Sequence, residues 1–297
     1  MKTILVATDF SERSDRALRR ATLLAKQSGA RLSLVHVVDD DQPMRIVDSE
    51  RTVARQLLRE QTATLENVDG VACNARVVLA DPFVGIIRAA EEDAPDLLVI
   101  GPHRRQALRD IFVGTTAERT IRSAPCPVLM ANAPPVGQYR HVLFATDLSE
   151  EFRHVAELFT ELDPAPQAYL SVLHVFEAHE LRLAMSHTLG REMRKRILAE
   201  AQREAEGSLA KIARHLGTRS SEQLVRYNET STANEILAAA KEHLSDLVVV
   251  AARRTGLVKL LLGSVAEEVL RHADRDVLAI PGRDQIHRSQ APTRTEA

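Results

Sequence analysis

The chain has 297 residues, of which 44% are hydrophobic and 3% aromatic, and its formal net charge at pH 7 is −2. This length exceeds a typical single hydrophobic core and predicts two domains of about 140 residues each. The near-neutral charge argues against a general nucleic-acid surface, because contacts to a phosphate backbone need a concentrated excess of Lys and Arg. With no Trp and few other aromatic residues, the cores must be built from Val, Leu, Ile and Ala.

The cysteines and the hydropathy pattern bear on location. Cys73 and Cys126 lack the spacing of a metal site, and two cysteines in a chain of this length favour a reduced protein. The opening MKTILVATDFSERSD turns polar too early for a signal peptide, and no later apolar run reaches the roughly 18 residues of a spanning helix. We therefore expect a soluble cytoplasmic protein with neither a membrane nor a nucleic-acid partner.

The chain contains an internal repeat. KTILVATDFSE recurs as RHVLFATDLSE, which aligns Asp9 with Asp147, and LSLVHVV recurs as LSVLHVF with the same offset of 138 residues. Two prolines and a glycine in NAPPVGQY mark the joint, and the residues after Gly282 show no apolar period. The predicted organisation is one domain over 1–134, a linker over 135–139, a second domain over 140–282 and a mobile tail over 283–297.

Short apolar runs alternate with helical patterns in each copy. In the first copy TILVA predicts a strand, and Ser11 and Gly29 are typical caps of the helix that follows it. The later elements, in chain order, are predicted as a strand over RLSLVHV, a long polar helix with Ala54, Leu57, Leu58, Gln61 and Leu65 on one stripe, a strand over ARVVL, a short helix through Ile86, Ile87 and Ala90, a strand over DLLVIG, a helix from Thr115 and a strand over CPVLMA.

Strands that are apolar on both faces and separated by helices predict a parallel sheet covered on both sides. Each copy is thus expected to be a doubly wound, Rossmann-like α/β domain with five parallel strands. Separate copies would expose apolar edge strands, CPVLMA in the first and DVLAIP in the second. We predict that these edges bring the two domains together as an intramolecular pseudo-dimer, and whether two chains then form a homodimer stays open.

Ligands of doubly wound sheets bind beyond the carboxyl ends of the strands, where the strand order reverses. In both copies a Gly followed by Ser or Thr opens the last helix, and such a turn lets backbone N–H groups approach an anion such as phosphate. The candidate binding residues of the first copy are Ala7, Thr8, Asp9, Val37, Gly101, His103, Arg104, Gly114, Thr115 and Thr116.

The ATDFS and ATDLS openings, the HVV and HVF strands, and the ends GTTAERTIRSAPCPVL and GSVAEEVLRHADRDVL together resemble the universal stress proteins. The ATP-binding branch of that family carries the signature G-x2-G-x9-G-[ST]. The resemblance implies that Asp9 lies near the ribose and adenine, and that the backbone of Val37 touches adenine. It implies ATP or AMP as the ligand, while Mg²⁺ stays open because no second carboxylate is placed beside Asp9.

The sequence departs from this signature in both copies. In the first copy Arg104 occupies the place of the second glycine, where it could clamp phosphate with Arg105, fill the space, or be a solvated loop charge. In the second copy Ala251 replaces the first glycine and the following loop is one residue shorter. A nucleotide is therefore expected mainly in the first copy, and the second candidate site comprises Ala145, Thr146, Asp147, Val175, Gly263, Ser264 and Val265.

The leading hypothesis is a regulatory protein of the stress response, in which an adenine nucleotide alters affinity for unidentified protein partners. The alternative is a nucleotide-free scaffold with two degenerate pockets that acts through its surfaces. A weak ATPase is a third hypothesis, although no nucleophile is paired with a recognisable base and no metal site is evident. His36 and His174, within the second strands, are predicted to be hydrogen-bonded core residues rather than ligands.

Overall fold

The computed structural model describes residues 1–102, 116–178, 180–181, 190–214, 216, 220–252 and 262–282. The first half contains β1 (Thr3–Ala7), α1 (Glu12–Ser28), β2 (Arg31–Val38), α2 (Met44–Asn67), β3 (Cys73–Leu79), α3 (Pro82–Asp93), β4 (Leu97–Ile100), α4 (Thr116–Ser123) and β5 (Val128–Met130). The second contains β6 (His141–Thr146), α5 (Glu151–Leu162), β7 (Tyr169–Phe176), α6 (Arg191–Ala213), β8 (Ser220–Tyr227), α7 (Thr232–Glu242), β9 (Leu247–Ala252), α8 (Ser264–His272) and β10 (Asp276–Pro281). The tail predicted over 283–297 lies outside the described residues.

The caps predicted for the first helix are confirmed. The side chain of Ser11 accepts a hydrogen bond from the backbone N–H of Ser14, and Gly29 ends α1 in the left-handed conformation at φ 72°. Asp81 caps α3 in the same way by accepting from Val84, and Pro82 fills the first helical position. These local rules fix where the chain leaves each strand and enters the next helix.

The ten strands of the described residues form a single sheet in the order β3-β2-β1-β4-β5-β10-β9-β6-β7-β8. Neighbouring strands are parallel within each half, and β5 and β10 pair antiparallel at the centre, with Leu129 opposite Leu278. The predicted pseudo-dimer through the CPVLMA and DVLAIP edges is thereby confirmed. In each half the strand order reverses once, between β1 and β4 and again between β6 and β9.

Alternate side chains of the strands enter two core layers, one on each face of the sheet. Ile4 and Val6 lie in the layer beneath α1, whereas Leu5 lies in the layer beneath α3. Both layers continue across the centre, because Leu278 belongs to the first and Val277 to the second. The two halves therefore share one continuous hydrophobic interior rather than touching through a separate interface.

A buried polar cluster holds the joint between the halves. The guanidinium of Arg20 on α1 donates to Asp276 at the start of β10 (2.8 Å) and to the carbonyl of Gly137 (2.6 Å). The hydroxyl of Tyr139 donates to the same carboxylate at 2.6 Å, and the Ala133 N–H donates to its other oxygen at 3.0 Å. The side chains of Arg20 and Asp276 are only 5% and 0% exposed. We call Arg20, Gly137, Tyr139 and Asp276 the joint cluster.

Gly101 allows the end of β4 to approach the first turn of α1. A Cβ atom at this position would lie 2.7 Å from the carbonyl oxygen of Arg13 and 3.1 Å from the backbone nitrogen of Ser14. Both neighbours are backbone atoms, which cannot rotate away. Gly101 is therefore required by packing at the point where the strand order reverses, whether or not a ligand binds there.

Replacing Asp276 with Ala is expected to lower the free energy of unfolding by about 3–5 kcal/mol, because Arg20 would stay buried without its counter-charge. Urea denaturation followed by circular dichroism measures the change. The matched control is Asp15→Ala, which removes the partner of Arg19 in an exposed pair on the same helix. That change is expected to cost about 1 kcal/mol or less. Equal effects of the two variants would contradict the role given to the joint cluster.

Gly101→Ala is expected to destabilise the protein by about 1–3 kcal/mol, because the added methyl overpacks the contact with α1. Gly207 in α6 is the control, since a Cβ atom there would meet nothing within 4 Å. Gly207→Ala should raise stability by about 0.5–1 kcal/mol, because alanine favours a helix interior. Thermal unfolding of both variants compares them, and a Gly101→Ala protein as stable as the unsubstituted one would refute the close approach.

Candidate functional site

The candidate site of the first half is built on the turn that follows β1. The N–H of the buried Thr8 donates to the carbonyl of Val35 (2.9 Å), and the Thr8 hydroxyl oxygen accepts from the N–H of Phe10 (3.1 Å). Phe10 takes the left-handed conformation at φ 60°. Asp9 is thereby placed at the carboxyl edge of the sheet, with its side chain 61% exposed.

The second half repeats this turn. The hydroxyl oxygen of Thr146 accepts from the N–H of Leu148 at 3.0 Å, and Leu148 is left-handed at φ 63°. His36 and His174 each place Nδ1 within 3.0 Å of the carbonyl of the turn's threonine. The prediction that both histidines are hydrogen-bonded is confirmed, but both are half-buried rather than enclosed in the core.

Asp9 is held as a carboxylate by its neighbours. One oxygen accepts from the N–H (3.0 Å) and the hydroxyl (2.5 Å) of Ser11, and the other lies 3.5 Å from Nη2 of Arg13. Burial raises the pKa of Asp9, but hydrogen bonds from Ser11 and Ser14 lower it. The positive charge of Arg13 lowers it further, so that the pKa lies below its ordinary value. An exposed, ionised carboxylate can accept hydrogen bonds from sugar hydroxyl groups.

The second strand of each half extends beyond the first strand. The register of β1 with β2 ends at Val35, whereas β2 continues through Val37 to Val38. Helix α3 packs closely against the side chain of Val37, since a Cβ atom on Gly85 would lie 2.6 Å from Cγ1 of Val37. The resemblance implies that the backbone of Val37 contacts adenine. Because the pairing of β1 with β2 ends at Val35, β1 does not cover the backbone of Val37.

The structure brings only part of the predicted site together. Ala7, Thr8 and Asp9 lie at the end of β1, Val37 near the end of β2, and Gly101 against α1. Thr116 is exposed as the first residue of α4. The predicted residues His103, Arg104, Gly114 and Thr115 lie outside the described residues, and so does Arg105.

The second candidate site has the same layout. Ala145, Thr146 and Asp147 end β6 or follow it, and Val175 lies near the end of β7. At the start of α8, Gly263 is the cap residue, Ser264 is exposed and Val265 is half-buried against the core. Asp147 accepts from the N–H of Ser149 at 3.0 Å, as Asp9 does from Ser11.

Sequence reasoning missed three contributors to the first site. The ring of Phe10 stacks on that of His36 with centroids 4.4 Å apart. Arg13 pairs with Asp9, and Gly85 makes room for Val37. A glycine inside a helical pattern was a usable signal for Gly85, because such a residue commonly marks close packing.

The described part of the chain holds no group of three or more His, Cys, Asp or Glu residues arranged to bind a metal ion. No described helix combines the length and apolar character needed to cross a membrane.

The chain was compared with known proteins. A relative 30% identical over 141 residues is the universal stress protein MJ0531 of Methanocaldococcus jannaschii, and the match covers 45% of this chain and 83% of the relative. The solved structure of PA1789 from Pseudomonas aeruginosa, described as functionally unknown, has a TM-score of 0.68 at 21% identity and covers 97% of this chain and 95% of that one. A universal stress protein solved in complex with cAMP is 25% identical, with a TM-score of 0.36 and coverage of 44% of this chain and 96% of that one.

The family model of the universal stress proteins matches this chain twice, over residues 1–132 and 138–281. These two segments follow the internal repeat and leave the joint between them. The tandem repeat, the doubly wound halves and the matched strand-end turns agree with that match. The chain belongs to the universal stress protein family, with two copies of the family's fold in one polypeptide.

Proposed function

We propose that this protein is a regulatory member of its family that binds an adenine nucleotide, ATP or AMP, mainly in the first half. We further propose that the functional domains are residues 1–134 and 140–282, joined by a linker over 135–139. The observation that carries the proposal is the turn at Thr8, Asp9 and Phe10. It presents an ionised carboxylate at the place where the strand order of the first half reverses.

The surroundings of Asp9 suit a nucleoside. The carboxylate would accept hydrogen bonds from ribose hydroxyl groups, while the stretch of β2 at Val37, which pairs with β3 but lies beyond the pairing with β1, would offer backbone atoms to a base. Phosphate groups would then reach toward the N-terminal end of α4, where backbone N–H groups favour anions. Regulation follows if the bound and free forms differ in affinity for a protein partner, because the two binding events are then linked.

One observation favours a nucleotide-free scaffold instead. Both oxygens of Asp9 already have partners within the chain, Ser11 on one side and Arg13 on the other. The turn therefore satisfies its carboxylate without a ligand, as a purely structural helix cap would. In that case the two pockets are remnants and the protein acts through its surfaces.

Isothermal titration with ATP and with AMP distinguishes the two functions. We expect one equivalent to bind per chain, and Asp9→Asn to weaken binding about tenfold, because the charged acceptor for the ribose is lost. Asp147→Asn changes the equivalent residue of the second half and should leave the affinity unchanged.

Mass spectrometry of the small molecules released by heating the purified protein gives an independent result. A co-purifying adenine nucleotide supports the proposal. No heat with either nucleotide and no released nucleotide would overturn it in favour of the scaffold.

A further inference from the structure

The first turns of α1 and α5 carry opposite charges at one equivalent position. The two helices are in register along the repeat, since the buried residues Ser14, Ala17, Leu18, Ala21 and Leu24 of α1 correspond to the buried residues Phe152, Val155, Ala156, Phe159 and Leu162 of α5. In that register Arg13 corresponds to Glu151. The repeat therefore preserves the fold of this turn and reverses its charge.

Arg13 lies at the centre of the first candidate site. Its carbonyl is the atom that Gly101 approaches at the end of β4, and its guanidinium is 3.5 Å from Asp9 at the end of β1. Arg13 thus stands between the two strands at which the order of the sheet reverses. Its side chain is 30% exposed, which leaves the guanidinium open to a ligand in the crevice.

Stability gives little reason for an arginine at this position. An exposed pair such as Asp9 and Arg13 contributes about 1 kcal/mol or less to folding. The charge of Arg13 has a larger effect on which ligands can bind between the ends of β1 and β4. The first turn region of the first half carries Asp9, Glu12 and Arg13, whereas the same positions of the second half carry the acids Asp147, Glu150 and Glu151.

We propose that Arg13 is a specificity-determining residue that admits phosphorylated nucleosides to the first half, and that Glu151 disfavours them in the second. This inference rests on the proposed function. It adds which charged side chain makes the first half, rather than the second, bind the nucleotide. The guanidinium offsets the repulsion between Asp9 and the phosphate groups, and it can donate hydrogen bonds to phosphate oxygens. In the second half the equivalent positions carry three acidic residues.

The test measures ATP binding by isothermal titration in four proteins: the unsubstituted chain, Arg13→Gln, Arg13→Lys and Arg19→Gln. Arg19 is the matched control, because it is an exposed arginine on the same helix that pairs with Asp15 away from the site. We expect Arg13→Gln to weaken ATP binding about tenfold, Arg13→Lys to retain most of the affinity, and Arg19→Gln to change nothing. The affinity of Arg13→Gln should also depend less steeply on salt, since a charge contact is lost.

The outcomes separate this inference from the proposed function. If the unsubstituted protein binds no adenine nucleotide, the proposed function fails and the inference fails with it. If it binds ATP but Arg13→Gln binds equally well, or if Gln and Lys weaken binding to the same extent, only the role of Arg13 is overturned. Two equivalents of ATP per chain would overturn the role of Glu151.

Discussion

The antiparallel pairing of β5 with β10 joins the two halves of the chain into one sheet. It turns two apolar edge strands into the centre of a ten-stranded sheet and lets both core layers run through it. The joint cluster has no counterpart at the repeat-related position, because the residue of the second half that corresponds to Arg20 is Leu158. The ion pair is thus made once, where the chain passes from one half to the other. Removing one partner of such a buried pair is costly, because the other charge stays buried without compensation.

That central pairing also determines where the two candidate sites lie. Strands are parallel within each half and antiparallel at the joint. The strands of the two halves therefore run in opposite directions, and their carboxyl ends lie on opposite sides of the molecule along the strand direction. The described residues around Asp9 and Asp147 therefore lie on these opposite sides, while the two halves share their core layers. The two turns differ in charge at Arg13 and Glu151.

The sequence predicted the parts of the fold that follow from local rules. Apolar runs, the caps at Ser11 and Gly29, and the repeat gave the strands, the first helix and the paired edges, because each depends on neighbouring residues or on duplication. It did not predict the contact of Arg20 with Asp276, which are 256 positions apart, nor the approach of Gly85 to Val37. Such contacts depend on how distant elements are stacked. Gly101 was predicted as part of a nucleotide signature, yet its packing against α1 accounts for a glycine there as well.

Under the proposed function, the state of Asp9 lets one turn serve both a free and a bound site. Ser11 holds one carboxylate oxygen through two hydrogen bonds, which fix the side chain, while the other oxygen lies 3.5 Å from Nη2 of Arg13. An exposed ion pair at 3.5 Å is weak, so a ribose hydroxyl can take its place at small cost while Ser11 keeps the carboxylate in position. The freed guanidinium is then available to an anion in the same crevice. A ligand that carries both a sugar and a phosphate can contact both Asp9 and Arg13, whereas a nucleoside alone can contact only Asp9.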